Sequence, residues 1–259
     1  MRLAPYPAKA LRCVGMAASP PVSGWGVARL IGELRMGVIA GLSLLALMVP
    51  SGSPPQANAI PSATGASLFT VALSRPADLG GTPVSDRVKR IADWSATTQD
   101  HAAMPFVVVD KQAARLYVFD SAARLQAHTA VLIGSALGDH SVPGIGQKAI
   151  ADVLPEERTT PAGRFNGKLG SNLTGEDVVW VDYEAAVSMH RVRAHQPAER
   201  RLQRLASETI EDNRISYGCI NVPAAFFDAH LLPVFSAQAA AIYVLPDHLS
   251  LEQVFGRVP

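Results

Sequence analysis

Cysteine is almost missing from this chain: among 259 residues there are two, Cys13 and Cys219. No paired-cysteine spacing exists, and no His-Glu-x-x-His pattern either, so the sequence offers no metal site. A charge excess of one sign is lacking too, with 23 basic and 22 acidic residues. Residues 1–59 carry five basic residues and one acidic, leaving 18 basic and 21 acidic beyond them. That near-neutral, slightly acidic remainder argues against nucleic acid as a partner. There is no internal repeat and no low-complexity tract. Past Pro50, no apolar run is long enough to span a bilayer. A phosphate-cradling loop is also missing, since Gly144-Ile145-Gly146 lacks the following glycine and a strand–helix setting. No cofactor is expected.

What is present begins with an apolar run. Met36 to Pro50 is uncharged, Arg29 and Arg35 precede it, and Ala57-Asn58-Ala59 has the small-x-small pattern of a signal peptidase site. Residues 1–59 are therefore expected to be a signal peptide with a long leader, removed on export to the periplasm or cell envelope. An uncleaved membrane anchor is the alternative. Residues 60–104 read as an N-terminal extension. Within it, Val84, Val88, Ile91 and Trp94 have helical spacing behind a capping Ser85, which predicts a short helix packed on the domain.

From Pro105 the pattern changes to short β-branched runs between turn signals. Phe106-Val107-Val108-Val109 and Arg115 to Phe119 predict a hairpin, and Ala127 to Ile133 a third strand closed by Gly134. Further strands are predicted after Thr160-Pro161-Ala162-Gly163, at Val178 to Val181, at Ala186 to Met189 and at Ala240 to Leu245. The fold class is mainly β, a β-sandwich-like domain over 105–246 with a few short helices and a tail at 247–259. One segment departs from it. Ala198, Leu202, Leu205, Ala206 and Ile210 share one helical face, predicting an amphipathic helix over 197–210. It either covers a sheet edge or forms a lid.

The chemistry centres on Arg214-Ile215-Ser216-Tyr217-Gly218-Cys219-Ile220-Asn221-Val222-Pro223. With 1–59 removed, Cys219 is an unpaired thiol, which in an oxidising compartment is paired or put to use. Asn221 and Pro223 suit a helix start, with the helix running over 224–232. Cys219 would then sit just before a helix N-terminus that favours a thiolate, and Gly218 would allow a tight turn. A buried, inert thiol is the plainer reading. A nucleophilic thiolate needs a base. Of the seven histidines, His190 ends a strand, where a side chain is aimed at a cleft. The other six have no motif around them.

A strand ending in His, followed by a [Ser/Thr]-His-Gly-Cys-apolar-[Arg/Asn] turn, resembles the L,D-transpeptidase (YkuD-type) catalytic domain family. Ser216 to Asn221 matches at every position but one, where Tyr217 replaces the motif histidine. Val109-Asp110-Lys111-Gln112 with Leu116 to Phe119, Gly134, and Thr160-Pro161-Ala162-Gly163-Arg164-Phe165 also resemble family elements in order. The gap from His190 to Cys219 is longer than the family's, and the inserted helical segment accounts for the excess.

The resemblance implies Cys219 as nucleophile and His190 as base, with the Arg191 carbonyl orienting the imidazole. Gly218 and Cys219 N–H groups would form the oxyanion hole. Ser216, Tyr217, Arg214 and Asn221 become candidate substrate contacts. The implied partners are peptidoglycan stem peptides, cleaved at meso-diaminopimelate through a thioester and cross-linked to an acceptor amine. L,D-carboxypeptidase or other amide hydrolase activity, and a cell-wall-binding protein without catalysis, are the alternatives.

Overall fold

This computed structural model describes residues 75–258. The proposed export signal and the loop at 60–65 lie outside them. Helix α1 (Asp86–Thr98) forms where the apolar spacing and the cap predict it. The Ser85 side chain accepts the Val88 N–H, Asp86 sits in the positive first turn, and Val88, Ile91, Ala92 and Ala96 are buried. The strands follow: β1 (Phe106–Asp110), β2 (Arg115–Phe119), β3 (Leu125–Ala130), β4 (Ile133–Gly134), β5 (Gly163–Ser171), β6 (Asp177–Asp182) and β7 (Val187–Arg191). Then come helix α2 (Arg201–Leu205), strands β8 (Arg214–Ser216) and β9 (Ile220–Val222), helices α3 (Ala224–Phe226) and α4 (Leu232–Ala237), strand β10 (Ala240–Leu245) and helix α5 (Leu251–Phe255).

Eight strands form one sheet in the order β3-β2-β1-β10-β5-β6-β7-β9, and β4 pairs with β8 in a small second sheet. Strand alternation explains the layers. Val107, Val109, Ile242 and Val244 face one core, while Phe106, Val108, Ala241 and Tyr243 face the other. The first core also takes Leu116 and Val118 from one end of the sheet and Met189, Ile220 and Val222 from the other. The sheet therefore wraps around a shared interior, and the fold is mainly β with short helices. Helices α1 and α5 cover the opposite face through Val88, Ile91 and Leu251. Among the described residues, no helix is long and apolar enough to cross a membrane.

Three expectations need correction. The third strand is split: β3 ends at Ala130, and Ile133–Gly134 leave it to pair with β8. The helix over 197–210 is broken into a 3₁₀ turn, the five residues of α2, and a second 3₁₀ turn. Arg200 stands at φ 51°, which ends the first turn. The supposed inner face turns outward, with Leu202 57% and Ile210 40% exposed. Thirdly, the helix after Cys219 does not begin at Asn221. Asn221 is in β9, Pro223 occupies the cap position, and the helical stretch runs from Ala224 through a π-turn (Phe227–Leu231) into α4.

A buried charged knot ties the strand ends together. Lys111 is fully buried just after β1. Its ammonium lies 2.9 Å from Asp139 and 3.2 Å from Asp247. It also donates to the carbonyls of Gly138 and Thr160. Arg214 pairs with Asp247 at 2.7 Å and donates to the Lys111 carbonyl. Burial pushes the Asp139 carboxyl up. Donation from the Leu249, Asp247 and His248 N–H groups and from Lys111 outweighs it and holds Asp139 far below the usual carboxylate range.

Candidate active site

Strands β7 and β9 run side by side in parallel, with Met189 opposite Ile220 and His190 opposite Asn221. Met189 and Ile220 face the first core. By alternation His190 and Asn221 share the other face, while Cys219 lies in the turn just before β9. Both His190 and Cys219 are buried.

The imidazole is fixed at one end. His190 Nδ1 lies 2.8 Å from the Arg191 carbonyl. A carbonyl only accepts, so Nδ1 carries the hydrogen and the lone pair sits on Nε2. Burial drives the His190 pKa down to about 4; the Arg191 carbonyl raises it, and the positive charge of Arg201 lowers it again. Near pH 7 this histidine is a neutral base. The Arg191 side chain turns away to pair with Asp228.

The nucleophile turn is tied by hydroxyls. Ser216 Oγ donates to the Cys219 carbonyl at 2.6 Å and accepts the Gly218 N–H at 3.1 Å. Gly218 has φ +120°, a conformation that side-chain-bearing residues rarely adopt. Thr160 Oγ1 donates to the Gly218 carbonyl at 2.8 Å and accepts the Gly134 N–H at 2.9 Å. Sequence reasoning placed Thr160 in a turn leading to a strand, but only its side chain's reach across 58 positions reveals this role.

One expectation about the thiol changes here. Cys219 precedes a strand, so the helix-N-terminus argument for a thiolate does not apply. In the whole chain Cys219 is disulfide-bonded; the expected unpaired thiol is that of the chain with 1–59 removed. Any nucleophilic chemistry starts from the reduced form. The sulfur lies 3.7 Å from the Ala186 carbonyl.

The remaining candidates separate. Asn221 is buried between the two principals, with Nδ2 3.5 Å from His190 Nε2 and 3.3 Å from the Cys219 carbonyl. Tyr217 packs against the first core, with the Arg158 guanidinium 4.2 Å over its ring. Ser216 closes the turn with its hydroxyl. Arg214 is committed to Asp247 and the Lys111 carbonyl. Arg201, which the sequence did not single out, was missed. Its guanidinium reaches inward to the Asn221 Oδ1 at 2.5 Å and pairs with Glu199.

A cleft of about 300 Å³ opens beside His190, with Glu176, Asp177, Arg193, His195 and Ala224 in its wall. Glu176 and Arg193 form an ion pair across it. The cleft reaches the imidazole, while Cys219 is not part of its lining.

No protein-family model matches the chain, and no curated protein sequence matches it. Solved structures that it resembles are mostly L,D-transpeptidases. The catalytic domain of an Enterococcus faecium L,D-transpeptidase is 16% identical, with 54% of this chain and 95% of that one covered and a TM-score of 0.30. An L,D-transpeptidase from Xylanimonas cellulosilytica is 14% identical over 55% of this chain and 60% of that one, TM-score 0.32. The helical cell shape determining protein Pgp2 from Campylobacter jejuni is 12% identical over 56% and 49%, TM-score 0.34. The chain thus spans about half to three fifths of the length of the latter two.

Proposed function

We propose that this chain is a cysteine-dependent acyltransferase of the cell envelope, an L,D-transpeptidase acting on peptidoglycan stem peptides. The observation that carries the reading is the Nδ1 bond from His190 to the Arg191 carbonyl. It leaves a neutral Nε2 on the strand beside the one that follows the Cys219 turn, and the reading requires the reduced sulfur to reach it.

The proton moves during attack rather than before it, because an imidazole with a pKa near 4 does not rest as imidazolium at neutral pH. Reduced Cys219 gives its proton to His190 Nε2 as sulfur bonds to the carbonyl carbon between meso-diaminopimelate and the terminal D-alanine. The oxyanion takes the Gly218 N–H from Ser216 Oγ, with the Cys219 N–H as second donor; such a donor is worth about 3 kcal/mol. Collapse breaks the C–N bond, and the D-alanine amine leaves with the proton from Nε2. An acceptor amine then attacks the thioester and frees the thiol. Water in its place gives carboxypeptidase activity. Export through 1–59 and a catalytic domain over 105–246 belong to the same proposal.

The test is incubation of the reduced full chain with disaccharide-tetrapeptide, beside Cys219→Ala. Intact protein should release D-alanine and carry a thioester adduct by mass spectrometry, and the variant should do neither. Release that survives in Cys219→Ala refutes the reading. Tyr217 in place of the motif histidine favours a second reading, a wall-binding protein without catalysis. It predicts co-sedimentation with peptidoglycan, no adduct and no D-alanine, even after reduction.

A further inference from the structure

Asn221 has an amide whose two ends cannot be exchanged freely. Arg201 only donates, so the amide end 2.5 Å from it must be the oxygen. That turns Nδ2, a pure donor, toward His190 Nε2 at 3.5 Å and the Cys219 carbonyl at 3.3 Å. At the other end of the imidazole, the Arg191 carbonyl only accepts. The row Arg201, Asn221, His190, Arg191 carbonyl thus has one consistent direction of hydrogen bonding. It starts at a guanidinium and ends at a carbonyl, and it leaves the lone pair on Nε2.

We infer that Arg201, delivered by the segment inserted between His190 and Cys219, is a positioning residue that locks the Asn221 amide and so holds His190 in its basic tautomer. The inference rests on the acyltransferase reading and deepens it. The inserted segment is then part of the catalytic machinery and not a cover over a sheet edge. The exposure of Leu202 and Ile210 agrees, since the segment's inward contact here is made by an arginine. Glu199 holds the guanidinium from its other side at 2.5 Å, which fixes its aim.

Removing the guanidinium frees the amide to flip. Oδ1 would then face Nε2 and accept from an imidazolium, and one positive charge would leave the site. Both changes favour the protonated ring. The other titratable and charged groups near His190 stay in place: Glu176, Asp177, Arg193 and His195 around the cleft, and Arg191 paired to Asp228.

The experiment uses the reduced full chain and its Arg201→Gln, Arg201→Lys and Cys219→Ala variants. ¹⁵N-histidine NMR against pH reads the tautomer and titration of His190 without requiring activity. Iodoacetamide alkylation of Cys219 against pH reads the base. In Arg201→Gln the His190 midpoint should rise by about one pH unit, and the acid limb of alkylation should move with it. Arg201→Lys, which restores the charge, should recover most of the shift. Circular dichroism separates unfolding from this effect. A folded Arg201→Gln with unchanged tautomer and titration overturns the inference, while leaving the acyltransferase reading to the D-alanine assay. Loss of D-alanine release in wild type with the shift intact overturns that reading alone.

Discussion

Replacing Lys111 by Met keeps the buried stem and deletes one charge, which isolates what the ammonium does. Two carboxylates, Asp139 and Asp247, lie within 3.2 Å of it in a solvent-free knot. Leaving a buried charge without its partner costs about 3–5 kcal/mol. Here the low end applies, because Asp247 keeps Arg214 and Asp139 keeps three backbone N–H donors. A loss of about 3 kcal/mol corresponds to roughly 6–12 °C in Tm for a domain of this size. The pH dependence follows from the direction of the Asp139 shift. Its folded pKa is depressed, so its contribution is fully present above the unfolded carboxylate range and is lost as pH falls through the folded value. The gap between wild type and Lys111→Met should therefore be widest near neutrality and narrow as pH drops below about 4. Urea unfolding at a series of pH values measures it, with Asp139→Asn/Lys111→Met expected to recover part of the loss. The Thr160 carbonyl is also held by Lys111, so the same variant should slow alkylation of reduced Cys219. A Lys111→Met protein within 0.5 kcal/mol of wild type at pH 7 would refute the view that this knot holds the strand ends.

Two further outcomes follow from the site. Thr160→Val strands the Gly134 N–H and the Gly218 carbonyl, both buried, and should cost about 2–4 kcal/mol in chemical denaturation; Thr160→Ser should restore most of it. His190 has a folded pKa of about 4 against an unfolded value near 6.5, so stability should be lost as pH falls between those values. His190→Gln should remove that part of the pH profile, read by thermal melts from pH 4 to 7, and should also slow Cys219 alkylation.

Much of this was legible in local sequence. Strand positions follow from β-branched runs at period two, and α1 follows from a capping serine ahead of a helical stripe, because both signals are satisfied by near neighbours. The Arg191 carbonyl beside the imidazole, now found 2.8 Å from Nδ1, was expected from the family resemblance and not from spacing. Distant partners decided the rest. The amphipathic pattern over 197–210 was misleading because Arg200 takes a left-handed conformation and Arg201 reaches inward to Asn221 and Glu199, while Leu202 and Ile210 stay exposed. Asn221 looked like a helix cap and became a strand residue, since its backbone N–H and carbonyl both pair with Leu132 while its amide reaches Arg201 and His190. Neither the partners of Lys111 nor the reach of Thr160 to Gly218 has any trace in residue spacing. A buried charge or hydroxyl is satisfied by whatever donor or acceptor the folded sheet brings near, and that depends on topology alone.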